Sequence, residues 1–202
     1  MVPPFSRNSS VKQDAVSVSI RQLPFIFKQP YAQYTQPQET MDPKIIFRSD
    51  ALRYNPCGDL IFPSVIRTDS LPAPLGHYYL YYAPHDSPGG ICLAYADDPA
   101  GPWTEYESNP IISRSWLPHY EVSHVSSPDA LLVPGGVRVF FHGDNDTTRS
   151  AMSKDGIHFE STAIAVQASQ LPDHWTCFYG RAFRLPAGKR DRYALLFAAY
   201  GD

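Results

Sequence analysis

HYYLYYAPHDSPGGICLAYADDPAGPWTEY, residues 77 to 106, decides the reading of this chain. Two apolar runs of strand length, HYYLYYA (77–83) and GICLAYA (90–96), flank a turn rich in Pro, Asp and Gly. A second such turn, DDPAG, leads to WTEY. Short aromatic and β-branched runs bounded by Gly, Pro and Asp read as antiparallel strands joined by hairpins. With LIFPSVI (60–66) in front, the stretch becomes a four-strand unit.

The same order recurs downstream. VSSPDALLV (125–133), VRVFFHG (137–143), RSAMS (149–153) and HFEST (158–162) make a second unit. CFYGRAFRL (177–185) and RYALLFAAY (192–200) begin a third. Pro63 and Pro128 are landmarks of the inner strands at a separation of 128 − 63 = 65, and Pro128 matches Gly180 at 180 − 128 = 52. The turns AYADDPAGPW (94–103) and AMSKDGIHF (151–159) repeat as well, each joining a small-residue strand to an aromatic through Asp. Four short antiparallel strands per unit, repeated radially, is the pattern of a β-propeller, in which stacked sheets bury one another's faces. The expected fold is therefore all-β, with about two and a half blades in this chain (about 55–115, 120–170 and an incomplete 175–202). The expectation is therefore a truncated propeller: a fragment, a truncated gene product, or a chain that finds its remaining blades elsewhere. Residues 1–43, polar and proline-rich with one apolar island at LPFIF (23–27), read as a poorly ordered or extended arm before a partial propeller at 44–202.

Composition narrows the function. Twenty prolines among 202 residues disfavour long helices, and 13 Tyr with 11 Phe favour strands. A formal charge of −3, with Lys and Arg scattered, gives no footprint for nucleic acid. No apolar run reaches the ~18 residues that a membrane helix needs. The opening MVPPFSRNSSVKQD has no apolar core of a secretory signal, which favours a cytoplasmic chain. Three cysteines without a C-x-x-C pair argue against a disulfide framework and against a structural zinc site. DNDTTR (144–149) lacks the Gly and the distant Glu of an EF-hand loop, so no metal or cofactor is expected.

The polar residues sort by strand order. In a propeller, the loop entering the inner strand and the hairpin between second and third strands share one face. His119, His124 and His174 precede inner strands, and His85 and His142 sit at second-to-third hairpins, so five of the seven histidines fall on one rim. Asp59, Asp86, Glu121, Asp144, Asp146, Asp173 and Asp202 join them there. Asp and Asn form turns readily, but imidazole is no special turn former, and its crowding needs another reason. The repeats also equate Ser64, Asp129 and Arg181, one residue after each landmark. Asp129 and Arg181 would pair across the axis or hold a hydroxyl.

PSVIR, YYLYYAPHDSPGGICLAYADDPAGPWTEY, HVSSPDALL and SKDGIHFE together resemble the five-bladed β-propeller glycosidases of the arabinanase/levansucrase/invertase group, family 43 included, over roughly residues 55–202. That resemblance implies a five-bladed propeller cleaving glycosidic bonds of an oligo- or polysaccharide, with paired carboxyls as acid and base. The group's general base stands just before the Pro-Ser of the first inner strand, where this chain has Phe62, and CFYGRAF lacks the acid of the third. Pro128-Asp129 matches the group's P-D in the second inner strand. The expected catalytic residues are Asp129 and Asp144, with His124 and His142 as proton-transferring partners. Asp59, His85, Asp86, Glu121, Asn145 and Arg181 would hold sugar hydroxyls, and Tyr120 and Tyr179 would stack on the ring. The alternative is a propeller that binds carbohydrate without cleaving it, or an inactive fragment of the enzyme.

Overall fold

The structure, a computed structural model, describes residue 45, residues 48–186 and residues 193–201. The described residues all belong to one compact unit, Asp42–Asp202. The expected N-terminal arm, with its LPFIF island, lies outside the described residues, as does Asp202.

The described residues are all-β, built from antiparallel sheets. β1 (Ile61–Arg67), β2 (Tyr78–Ala83), β3 (Cys92–Ala96) and β4 (Thr104–Glu105) form the first four-stranded sheet in chain order. A small hairpin follows, β5 (Ser115–Trp116) with β6 (Tyr120–Glu121). The second four-stranded sheet is β7 (Val125–Val133), β8 (Gly136–Gly143), β9 (Thr147–Ser153) and β10 (Phe159–Gln167), again in chain order. β11 (Phe178–Arg184) pairs with β12 (Tyr193–Ala198). Among the described residues no helix is long and apolar enough to cross a membrane.

The continuous apolar run of β2 follows from burial on both faces. Side chains alternate across a strand, so Tyr79, Tyr81 and Ala83 face one way, and Leu80 and Tyr82 the other. The first set joins Ile91 and Leu93 against Val125, Val137, Val139, Phe141 and Ala151 of the second sheet. The second set packs with Cys92 and Ala94 against Leu52, Tyr54, Leu60 and Trp103. Both faces of β2 are therefore dry, and the buried phenols find partners. Tyr81 donates to the Gly156 carbonyl at 2.7 Å, and the Leu75 amide donates to Tyr79 at 3.1 Å.

The two Asp turns work locally. In the second sheet the Asp155 carboxylate accepts from Ser153 Oγ (2.8 Å) and from the amides of Ile157 (2.9 Å) and His158 (2.8 Å), and it pairs with His158 Nδ1 at 2.7 Å. In the first, Asp98 accepts from the Ala100 amide at 2.7 Å. Both are turns closed by an Asp side chain on its own following amides.

The repeat is written into the backbone. Each inner strand breaks register at one place: between Ile61 and Ser64, between Ser126 and Asp129, and between Phe178 and Arg181. At each break one non-glycine residue takes a left-handed φ, namely Phe62 (51°), Ser127 (55°) and Tyr179 (55°). Their separations, 127 − 62 = 65 and 179 − 127 = 52, reproduce those of the Pro63, Pro128 and Gly180 landmarks. The side chain one residue after each of the first two landmarks then ties one inner strand to the next. Ser64 Oγ accepts the Ala130 amide at 2.9 Å, and Asp129 Oδ2 accepts the Ala182 amide at 2.6 Å. β1 thus packs on β7, and β7 on β11.

Candidate functional site

The β2–β3 and β8–β9 hairpins, His124 before β7 and the bulge of β11 converge on one cavity of about 230 Å³. It is lined by His85, Asp86, Ser87, His124, His142, Asn145, Phe178 and Tyr179. Six of these eight are residues that the sequence reading singled out.

The first-sheet hairpin supplies one wall. The His85 amide donates to Asp59 Oδ1 at 2.9 Å, which fixes the start of the turn. His85 Nδ1 meets Asp86 Oδ1 at 3.0 Å, and His85 Nε2 meets the Tyr179 hydroxyl at 3.3 Å. Ser87 Oγ donates to the Ser123 carbonyl at 2.9 Å, joining this hairpin to the segment entering β7. Cys57 Sγ reaches the Asp86 carbonyl at 3.0 Å. Asp59, His85 and Asp86 bring three ligand-type atoms within 4.8 Å of one another, though His85 already engages both carboxylates.

The second-sheet hairpin supplies the opposite wall. The Asp144 amide donates to the His124 carbonyl at 3.2 Å, with Asp144 itself at φ 50°. Ser123 sits between the two side chains. Its amide donates to Asp144 Oδ1 at 2.9 Å, its hydroxyl donates to the same carboxylate oxygen, and that hydroxyl lies 3.0 Å from His124 Nδ1. His124 Nδ1 and Asp144 Oδ1 are 3.9 Å apart. His124 is thus oriented by a carboxylate through a hydroxyl. Asn145 lies next on the hairpin, its carbonyl accepting the Cys177 amide at 2.8 Å.

His142 forms the floor. It is 3% exposed, its Nδ1 has no hydrogen-bond partner, and its ring lies 5.2 Å from that of His124 and 5.5 Å from that of Tyr179. Burial, and then the charges of His124, His85 and Arg181, push its pKa down to about 3. The imidazole is neutral at physiological pH and offers one donor and one acceptor nitrogen.

Several residues expected at the site stand elsewhere. Tyr120 is 7% exposed in the core, not on the rim: its hydroxyl donates to the Ser113 carbonyl at 3.0 Å, and Arg149 lies 4.8 Å from its ring centre. The β5–β6 hairpin, unread in the sequence, turns it inward. Glu121 follows on β6, exposed and outside the cavity lining. Asp129 also lies outside that lining, and its carboxylate accepts the Ala182 amide; burial pushes its pKa up. Arg181 lies with its guanidinium 5.6 Å from the Phe62 ring centre, and Nη1 donates to the Gly180 carbonyl at 2.9 Å. His119 packs on Trp116 at 5.6 Å, away from the cavity.

Phe62 and Tyr179, at two of the three bulges, touch with ring centroids 4.7 Å apart. Ser87, Ser123 and Phe178 were missed by the sequence reading. Each is the immediate neighbour of a residue it named, and only the hairpin geometry reveals its role.

No family model matches the chain, and no curated protein matches it. Among solved structures it is similar to Zg3597, a family 117 glycoside hydrolase of the marine bacterium Zobellia galactanivorans, at 25% identity and a TM-score of 0.36. That similarity covers 57% of this chain and 29% of the other.

Proposed function

We propose that this chain is part of a five-bladed β-propeller of the glycoside-hydrolase kind and that its cavity takes a carbohydrate. The observation that carries this reading is the convergence of His85, His124, His142, Asn145 and Tyr179, drawn from three repeats, on one small cavity with polar and aromatic walls. Sugar hydroxyls need paired donors and acceptors, and sugar C–H faces need an aromatic surface; both are present. In this reading His124 transfers the proton, and Asp144 orients it through Ser123 and stabilises its charged form, as a carboxylate does behind a catalytic histidine. Asp86, His85, Asn145 and Tyr179 hold hydroxyls, His142 adds a neutral donor and acceptor, and Asp59 positions the His85 backbone.

A second reading, binding without cleavage, has its own support. Phe62 stands where the resembled glycosidases place their base, and it packs against Tyr179 rather than presenting a carboxylate.

Calorimetry with plant and microbial oligosaccharides, together with turnover of aryl-glycosides, separates the two. On the enzyme reading, His124→Ala lowers turnover roughly 100-fold with little change in affinity, and Asp144→Asn lowers it by about 10-fold or more. Asp129→Asn leaves turnover intact, because an amide oxygen still accepts the Ala182 N–H. Binding without turnover selects the second reading. Neither binding nor turnover for any neutral oligosaccharide sinks both.

A further inference from the structure

Tyr179 is held in a position that its own backbone disfavours. A left-handed φ in a bulky aromatic residue is uncommon and strained, and such strain gathers where a side chain must be aimed. Here the bulge aims the ring between Phe62 (centroids 4.7 Å apart), Phe178 (4.5 Å) and His142 (5.5 Å). With the ring gripped on those sides, the phenolic oxygen meets His85 Nε2 at 3.3 Å and borders the cavity.

The state of His85 follows from what lies behind it. Asp86 Oδ1 is 3.0 Å from Nδ1 and only accepts, so the proton of neutral His85 is on Nδ1 and the lone pair is on Nε2. Nε2 then accepts from the Tyr179 hydroxyl. Asp59, taking the His85 amide at 2.9 Å, fixes the backbone from which the ring hangs. The order carboxylate, imidazole, hydroxyl is the arrangement that activates a hydroxyl nucleophile: the imidazole takes the proton, and the carboxylate stabilises the imidazolium.

We propose that Tyr179 is a nucleophilic phenol activated by His85 and Asp86, attacking an electrophilic carbon presented in the cavity. The proposal rests on the carbohydrate reading only for the identity of that carbon, the anomeric carbon of a glycoside. In the first half-reaction the Tyr179 O–H proton passes to His85 Nε2, a bond forms from the phenolic oxygen to the anomeric carbon, and the bond to the leaving oxygen breaks. The leaving oxygen departs as an alcohol on taking a proton from His124 in its imidazolium form. In the second half, water gives a proton back to His124 and adds to the anomeric carbon. The carbon–tyrosine bond breaks, and the phenol recovers its proton from His85. Protons and electron pairs balance over the two halves, and both groups return to their starting forms. Tyr179 is the catalytic residue, while His85 and Asp86 position and activate it.

An aryl sulfonyl fluoride tests this without any sugar. The phenolate forms an S–O bond, the S–F bond breaks, and HF is lost. With the whole chain at neutral pH, peptide mass mapping is expected to find Tyr179 sulfonylated about 10-fold faster than the exposed Tyr200 and Tyr193. His85→Ala removes that advantage, and free imidazole restores part of it, which a merely structural role for His85 would not produce. Asp86→Asn gives an intermediate rate, and Tyr179→Phe loses the label at an unchanged melting temperature. Labelling of Tyr179 no faster than Tyr200, labelling unchanged in His85→Ala, or labelling abolished by EDTA overturns the proposal; the last assigns the Asp59–His85–Asp86 cluster to a metal instead. Glycoside cleavage with an unreactive Tyr179 overturns this proposal and leaves the carbohydrate reading standing. Fast labelling with no sugar bound does the reverse.

Discussion

Gly89→Ala is expected to lower the melting temperature by about 10 °C, a loss of about 3–5 kcal/mol for a domain of this size. Gly89 has φ +65°, and a Cβ built there would lie 2.1 Å from the Val125 carbonyl oxygen. That oxygen cannot retreat freely, because it accepts the Gly90 amide at 2.8 Å. The Gly89 carbonyl in turn accepts the Tyr54 hydroxyl at 2.6 Å. The clash therefore falls on backbone where the β2–β3 hairpin abuts the first residue of β7, the seam between the two four-stranded sheets. The same hairpin carries His85 and Asp86, so ligand binding should weaken together with stability. Gly135→Ala supplies the control. Its φ is +93°, but nothing lies within 4 Å of the added methyl, so only backbone strain of about 1 kcal/mol is incurred. Thermal melts of the two variants decide the matter: equal losses would show that conformation alone, not the approach of the sheets, explains Gly89.

That seam also explains how much of this fold was legible. Hairpin chemistry and apolar runs are local signals, so VSSPDALLV was read with the bounds that β7 has, and the other sheet strands fell within a few residues of theirs. β10 runs on to Gln167, past the predicted 162, because the TAIAVQ segment alternates weakly and carries no aromatic residue. The β5–β6 hairpin was invisible for a different reason. Two-residue strands have no period to detect, and nothing in Trp116-Leu117-Pro118-His119-Tyr120 marks Tyr120 for the core rather than the rim.

The site was legible in part for similar reasons. The repeat assigned His85, His124 and His142 to one rim, and one cavity holds all three. Asp129 has as its partner an amide 53 residues away, and nothing local distinguishes an inter-strand tie from a free carboxylate. The left-handed positions Phe62, Ser127 and Tyr179 were located by their landmarks, but their backbone conformation was not. Apart from the Pro or Gly that follows, they share no residue type that favours a positive φ.

The acid response of the chain should be dominated, between pH 6.5 and 4.5, by His142. Its pKa is pushed down to about 3 in the fold, against ~6.5 in an unfolded chain. In that window the unfolded state binds the extra proton, so stability is full above the unfolded pKa and falls as pH drops towards the folded one. At pH 4.5 the two-unit gap to 6.5 corresponds to a loss of about 2–3 kcal/mol relative to pH 7. Every element around the ring bears on this. His124 before β7, His85 on the β2–β3 hairpin and Arg181 on β11 add to the effect of burial, and only Asp144 opposes it. Asp155 acts in a separate window. Burial pushes its pKa up, but the hydrogen bonds from His158, Ile157 and Ser153 together outweigh it and hold the pKa well below the usual carboxylate range, so its contribution is present above ~3.9 and is lost only in stronger acid. Urea unfolding at pH 7 and pH 4.5 should therefore show a steep loss in the parent chain and a shallower one in His142→Gln, which has no group to protonate. The imidazole C–H resonance of His142 provides a direct check, since it should keep its neutral position down to pH 4.5. Titration of that resonance near pH 6.5 would mean that the ring is wet, and the floor of the cavity would then be open to solvent rather than closed by Phe178 and Tyr179.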